Sequence, residues 1–300
     1  MSRTRRAGTG RLAAMLLSPT ILVLALVIGY PVLAALRLSF VVTTDTINPR
    51  TGFKETTSGY GLDNYEKVLS GESFLRPFWN TTSFALVSVT AEVLIGVAMA
   101  LVMHRAFRGR ALVRAAVLVP WAIPTAISGL LWKWIFNSQG AANGILRAEV
   151  LWSADGFPAW LSVVIADTWK TAPFVGLLVL AGLQVIPTEL YEAAKVDGAS
   201  PWRAFWRITL PLVRPALAVA VLFRLLDVLR MFDLPYVLVG PRKHSVETLS
   251  MVAFEEMTNL RFGTAAAYAT ALFLYVAVVA FAFVKLFGAD LVGRGTGSPR

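Results

Sequence analysis

Six long apolar runs, at about 12–40, 78–104, 112–136, 159–184, 212–240 and 264–288, alternate with polar stretches along the chain. About 20 mostly apolar residues suffice for a helix to cross hydrocarbon, and an isolated span there must be helical to satisfy its own backbone. The pattern therefore predicts an all-α integral membrane protein with six transmembrane helices. Arg3, Arg5, Arg6 and Arg11 precede the first run, as they would a signal peptide. The apolar stretch from Leu12 to Leu36 is too long for a signal h-region, however, and no small-residue cleavage site follows, so the reading is a retained span.

The polar stretches differ in charge on the two sides. Arginines and lysines dominate residues 1–11, the 105–114 turn, the 185–211 loop and the C-terminal end, where the acids are Glu189, Glu192, Asp197 and Asp290. Acids match or exceed bases in the other loops. Such an excess marks the cytoplasmic side and predicts both termini inside. The reading is a single transmembrane domain over 1–300. It has a cytoplasmic tail at 1–11, a turn-rich outer loop at 41–77, a cytoplasmic loop at 185–211 and a flexible cytoplasmic tail at 289–300.

Composition agrees. The chain is 56% hydrophobic and 15% charged, against about 25% charged in soluble domains. Its net charge of +10 is accounted for by orientation and anionic lipid rather than nucleic acid. The absence of cysteine excludes disulfides and cysteine-built metal sites, and His104 and His244 are too far apart in the chain to suggest one.

The 187–211 stretch carries the most chemistry. Pro187 closes one helix or opens the next, Thr188 can cap, and Glu189 and Glu192 suit the positive end of a helix. Leu190, Ala193, Ala194 and Ala199 are small or apolar at helical spacing, and Gly198 permits a sharp turn. Ser200-Pro201 is a second helix start. Trp202, Phe205, Trp206 and Ile208 then form an apolar face opposite Arg203 and Arg207, and Pro211 is expected to stop that helix. Physically this is an amphipathic element at the membrane surface, either a lipid anchor or a docking helix.

The spacing Glu192-Ala193-Ala194, three residues, Gly198, nine residues, Ile208-Thr209-Leu210-Pro211 resembles the signature loop of permease subunits of binding-protein-dependent carbohydrate ABC importers. The resemblance covers nearly the whole chain. Gly61-Leu62-Asp63-Asn64-Tyr65, Leu118-Val119-Pro120-Trp121-Ala122-Ile123-Pro124 and Asn143-Gly144-Ile145-Leu146 are similar to further family segments, as are Thr248-Leu249 and Phe262-Gly263 to Ala267. Val239-Gly240-Pro241 departs from the usual Thr-x-Gly-Gly-Pro. The likeness is to the MalF-like half of a two-permease sugar importer, with a disaccharide such as trehalose as cargo.

That resemblance implies a type I importer fold. The partners would be a second related permease, two ATPase subunits and an extracytoplasmic sugar-binding (lipo)protein, in a bacterial cytoplasmic membrane. Glu192, Ala193, Ala194, Asp197, Gly198, Ile208, Leu210 and Pro211 would form the ATPase-coupling element. ATP and magnesium would belong to the ATPase, because this chain has no Gly-x-x-x-x-Gly-Lys-Ser/Thr loop. No residue here is then expected to be catalytic, and no cofactor or metal is expected on this chain. Tyr65, His244 and Glu247 would face the binding protein.

Charges inside the apolar runs are the remaining candidates, since intramembrane ions are costly and mark pathways or pairs. Arg37, Glu92, Lys133, Asp167, Lys170, Arg224, Asp227, Arg230 and Asp233 lie within or at the ends of the runs. The last four are three apart with alternating sign and read as a self-neutralising stripe on one helix, its outer end toward a pathway. Glu92 reads as isolated, either protonated or paired. The candidate pathway comprises Asp233, Arg230, Tyr236, Asp227, Asp167, Lys170, Trp169 and Trp121. The carboxylates would also suit an ion-coupled secondary transporter, which is the competing reading. A lipid-acting enzyme lacks the necessary His/Asp/Glu cluster.

Overall fold

The computed structural model describes residues 4–47, 54–105 and 108–292, and the chain divides into two compact units. One comprises 1–71 with 253–271, the other 72–252 with 272–300. Among the described residues five helices are long and apolar enough to cross a membrane, and a bent helix pair makes a sixth span if counted as one. Residues 1–3 and 293–300, at the ends of the two expected tails, lie outside the described residues.

The first unit begins with α1 (Thr4–Leu24), a π turn (Ala25–Gly29) and α2 (Tyr30–Ser39). The expected outer loop 41–77 holds a hairpin of β1 (Val41–Ile47) and β2 (Lys54–Tyr60), with Val41 opposite Tyr60, followed by α3 (Asp63–Leu69). The Gly61–Tyr65 motif ties this hairpin down. Asn64 is buried and donates to the carbonyls of Ser39 at 3.0 Å and Val41 at 2.8 Å, and the Tyr65 hydroxyl meets that of Ser39 at 2.6 Å. Gly263 lies so close to Val41 and Asn64 that no side chain fits there. Asn64 thus satisfies one carbonyl that the end of α2 leaves open and one at the start of β1.

The second unit is built on α4 (Glu72–His104) and α8 (Phe157–Gln184). Between them come α5 (Arg110–Ala122), α6 (Thr125–Ile135) and α7 (Ala141–Leu146). After α8 follow α9 (Thr188–Val196), α10 (Pro201–Ala204), a π turn (Phe205–Thr209), α11 (Leu210–Val228) and α12 (Asp233–Leu238). α13 (Leu249–Thr258) and α14 (Phe262–Val292) each run from one unit's residues into the other's.

α8 is the central rod, with 72% of its best apolar window buried, against 33% for α4 and none for the spans of α1–α2 and α14. Lipid or another subunit must cover those last two. α4 meets α8 at paired glycines: a Cβ at Gly96 would lie 2.8 Å from Val175 Cβ and 2.9 Å from the Gly176 nitrogen. Small residues let membrane helices approach closely where lipid removes the hydrophobic drive.

Two span boundaries differ from the sequence reading. The run 112–136 is not one straight helix: α5 and α6 meet at 93°. Ile123 is extended, at ψ 132°, because it precedes Pro124. The fifth span begins at Pro201 and ends at Val228, rather than covering 212–240. Pro211 does not stop the helix. The π turn ahead of it bonds the Leu210 N–H to the Phe205 carbonyl, and the wider turn accommodates the proline ring that would otherwise press on the carbonyl four residues back. The same device precedes Pro31, where the Tyr30 N–H bonds the Ala25 carbonyl.

Replacing Gly96 with leucine should force α4 and α8 apart and cost about 1–3 kcal/mol or more. Thermal unfolding in detergent should show a clear loss for Gly96→Leu. Gly144→Ala, whose added Cβ meets nothing within 4 Å, should leave the midpoint unchanged.

Candidate functional site

The interior of the second unit is organised by one guanidinium. Arg224, on α11, is 3% exposed and lies between α4 and α8. Its Nε donates to Glu92 Oε2 at 2.6 Å and its Nη2 to Glu92 Oε1 at 2.9 Å. Nη2 also reaches both oxygens of Asp167, at 3.1 and 3.3 Å, and Nη1 donates to Asp227. The Thr171 hydroxyl donates to Glu92 Oε1 at 2.7 Å. Glu92 is therefore not isolated: it forms a bidentate pair, the strongest geometry such ions have.

The expected charge stripe is cut. α11 ends at Val228, and α12 restarts at Asp233, with Pro235 in its first turn. Arg224 and Asp227 share a helix face as expected, but Arg230 and Asp233 do not continue it. The Arg230 Nε instead donates to the Leu226 carbonyl at 2.8 Å. Among the described residues neither Arg230 nor Asp233 forms an ion pair. The break is held from outside by Thr248, whose hydroxyl donates to the Met231 carbonyl at 2.8 Å.

A cavity of about 320 Å³ opens at this break, lined by Asp167, Lys170, Asp227, Arg230 and Asp233 together with Thr125, Thr171 and Phe232. Five of the eight pathway candidates thus meet at one place. The other three do not line it. Trp169 packs edge-on against Trp132 at 5.6 Å, Trp121 stacks on Phe174 at 5.5 Å, and Tyr236 stacks on Phe232 at 5.0 Å. Trp169 points away because α8 turns its charged stripe, not its aromatic one, toward the break, and Trp121 belongs to α5, where it packs on Phe174 of α8. Thr125, Thr171 and Phe232 were missed because a lone threonine or phenylalanine in an apolar run carries no periodic signal.

Lys170 has a second task. Its ammonium donates to the carbonyls of Trp121 at 3.3 Å and Ile123 at 2.5 Å. These belong to the end of α5, where the 93° bend leaves carbonyls without helical partners. A cation at a helix C-terminus is favoured there, so Lys170 stabilises the bend while facing the cavity.

The 185–211 loop consists of short helices. α9 ends in a Schellman turn: Gly198 has φ +72°, its N–H bonds the Lys195 carbonyl at 3.1 Å, and the Ala199 N–H bonds that of Ala194 at 2.8 Å. Ser200 caps α10 through the Arg203 N–H at 3.3 Å. Thr188 does not cap, since Pro187 holds that position. Glu192, Ala193, Asp197 and Gly198 are exposed, whereas Ala194, Ile208, Leu210 and Pro211 are half-buried. The signature thus divides into an exposed turn and a packed helix start.

The loops at the other end are fastened together. Asp155 accepts from the Ser245 N–H at 2.8 Å and the His244 N–H at 3.1 Å, while the Ser245 hydroxyl receives the Gly156 N–H at 2.9 Å. Partial burial pushes the Asp155 carboxyl up, but the hydrogen bonds from Ser245 and His244 outweigh it and hold it below the usual carboxylate range. Asn80 donates to the carbonyls of His244 and Glu247. Asn143, of the Asn143–Leu146 motif, bonds Ser138, Val150 and Trp152 and so closes its own loop.

Residues 92–292 match the family described as binding-protein-dependent transport system inner membrane component. The chain belongs to this family. Among its relatives, the Thermococcus litoralis trehalose/maltose transport system permease protein MalF is 43% identical over 232 residues, 75% of this chain and 78% of that one. The Mycobacterium tuberculosis trehalose transport system permease protein SugA is 38% identical over 295 residues, 97% of this chain and 94% of that one. A crystal structure of a bacterial ABC transporter that imports the acidic polysaccharide alginate superposes with a TM-score of 0.74 over 98% of this chain and 99% of that one, at 24% identity. The permease thus has the fold of an ABC importer membrane subunit.

Arg224→Leu should strand Glu92 and Asp167 as buried unpaired acids and destabilise the permease by about 3–5 kcal/mol, read as a large fall in the detergent unfolding midpoint. Adding Glu92→Leu to Arg224→Leu should recover part of that loss. For Asp155 the lowered folded-state pKa makes its contribution complete above the ordinary carboxylate range and lost as pH falls through the lowered value. Limited proteolysis of the 150–156 and 242–247 loops should accelerate on acidification in the wild type, and Asp155→Ala should cleave fast at every pH.

Proposed function

We propose that the chain is one permease half of an ATP-driven sugar importer in a bacterial cytoplasmic membrane, with a disaccharide such as trehalose as the favoured cargo. The observation that carries this reading is a mechanical continuity. α8 supplies Asp167, Lys170 and Thr171 to the cavity and ends at Gln184, just before the α9 turn. α11 supplies Asp227 and begins at the far side of the same loop. Gln184 lies thirteen helical steps beyond Thr171, about 20 Å of stiff rod.

On this reading both termini are cytoplasmic and the exposed Glu192–Gly198 turn seats in an ATPase subunit. ATP binding and hydrolysis there move α9 and α10, and the motion passes along α8 and α11 to the cavity. A second permease supplies the other wall, and a sugar-loaded binding protein delivers from outside. The relatives named for trehalose and maltose support a neutral sugar, and the cavity chemistry suits one: carboxylates accept hydroxyl hydrogens, Arg230 donates, and Phe232 offers an apolar ring face. Arg224 and Lys170 are already engaged by carboxylates and carbonyls, so few cations remain for an anionic cargo. The task of this subunit is positional, and its residues are assigned no acid, base or nucleophile role.

Reconstituted with its ATPase, second permease and binding protein, the permease should take up trehalose with ATP. Glu192→Arg and Gly198→Arg should abolish uptake and sugar-stimulated ATPase while inserting normally. Asp233→Ala should raise the apparent KM about tenfold, the loss of one hydrogen bond to a charged group, with assembly intact. Uptake by this chain without an ATPase, driven by a proton or sodium gradient, would overturn the reading.

A further inference from the structure

At the loop end of the same helices lies a second hollow, of about 570 Å³. Its apolar wall is made by Leu101, Leu183, Trp202 and Phe205. These come from the terminal turns of three candidate spans, Ser73–His104, Phe157–Gln184 and Pro201–Val228. The hollow therefore opens at the ends of these apolar spans. Trp202 is 71% exposed, and its ring packs edge-on against Trp206 at 5.6 Å. Exposed tryptophans at a span end favour the headgroup layer.

The polar side of the hollow is basic. His104 and Arg105 line it, and both are exposed. Among the described residues neither side chain forms an ion pair. Arg108, Lys195, Arg203, Arg207 and Arg214 are exposed on the elements around it. The acids at this end, Glu189, Glu192 and Asp197, belong to α9 and its cap, and none lines the hollow. Its wall includes the π turn Phe205–Thr209, held by the Thr209 and Tyr191 hydroxyls at 3.0 Å.

We propose that this hollow binds an anionic glycerophospholipid of the surrounding bilayer. An acyl chain lies along Leu101, Leu183, Trp202 and Phe205, and the phosphate meets Arg105 and His104. Basic pockets between membrane helices recognise such headgroups, and the apolar wall, which a free phosphate would not use, selects the lipid. The site gives a use to Trp202 and Phe205, which the docking turn at 192–198 leaves unused. Because the lipid sits against α10 and the π turn, its occupancy sets how firmly the loop is held.

The test is native mass spectrometry of the detergent-purified complex, titrated with phosphatidylglycerol and, separately, phosphatidylcholine. The wild type should retain phosphatidylglycerol in preference. Arg105→Gln should weaken its apparent affinity about fivefold, the effect of one basic residue near an anionic surface. Ala204→Phe, which fills the hollow from its lining and leaves Arg105 in place, should displace the lipid. Equal retention of the two lipids by the wild type, or unchanged phosphatidylglycerol binding in both variants, would overturn the proposal. So would displacement of the lipid by millimolar inorganic phosphate. The lipid count is read on protein whether or not it transports, so failure here and failure of the importer reading are separable.

Discussion

The interior of this permease depends on the bidentate pair between Arg224 and Glu92. In hydrocarbon the helices gain nothing by hiding apolar surface from water, so association rests on close packing and polar bonds. Arg224 supplies such bonds to α4, α8 and its own helix at once. An unpaired ion at that depth is strongly disfavoured, which fixes the rotation of each helix: Glu92, Asp167 and Asp227 must all face one point. The Gly96–Gly176 contact, where α4 and α8 nearly touch, is possible only with that rotation.

Prolines do different things along these helices, and the backbone shows why. Pro31 and Pro211 each follow a π turn by one residue, and the helix continues through them. Pro124 follows an extended residue, and there the helix breaks. The break would leave carbonyls bare inside a membrane, which is tolerated only where something else satisfies them. Lys170 satisfies two of them. Bend and lysine therefore depend on each other, and the resulting corner forms part of the cavity wall, with Thr125 at its edge.

The apolar runs made the spans legible, because length and hydropathy decide them. The form of the 185–211 loop was legible because its glycine needs a positive φ and its serine a capping N–H, both local requirements. The bend at Pro124 and the uninterrupted helix through Pro211 were not legible, since both carry a proline in an apolar run and differ only in what the neighbouring carbonyls can find. The charged knot was half legible. The costs of Glu92 and Arg224 in apolar runs marked them as significant, but their pairing spans 132 residues of chain, and no periodicity reports a contact between helices. The three-residue spacing of Arg224, Asp227, Arg230 and Asp233 suggested one ladder because periodicity assumes an unbroken helix.

Asp167 and Asp227 belong to both the knot and the cavity. Asp227 is exposed toward the cavity while its carboxylate holds Arg224. On the proposed mechanism a sugar hydroxyl that bonds either aspartate competes for oxygens that also fix helix rotation, so a bound cargo alters the balance holding α4, α8 and α11 together. α8 and α11 run on to the 185–211 loop. On the proposed mechanism a cargo in the cavity and an ATPase on the loop therefore act on one shared set of helices, and each must change the other's equilibrium by the same amount. Coupling of this kind needs no residue that moves protons. It needs stiff helices and a charge cluster that cannot be satisfied in two places at once, and α8, α11 and the Arg224 knot supply both.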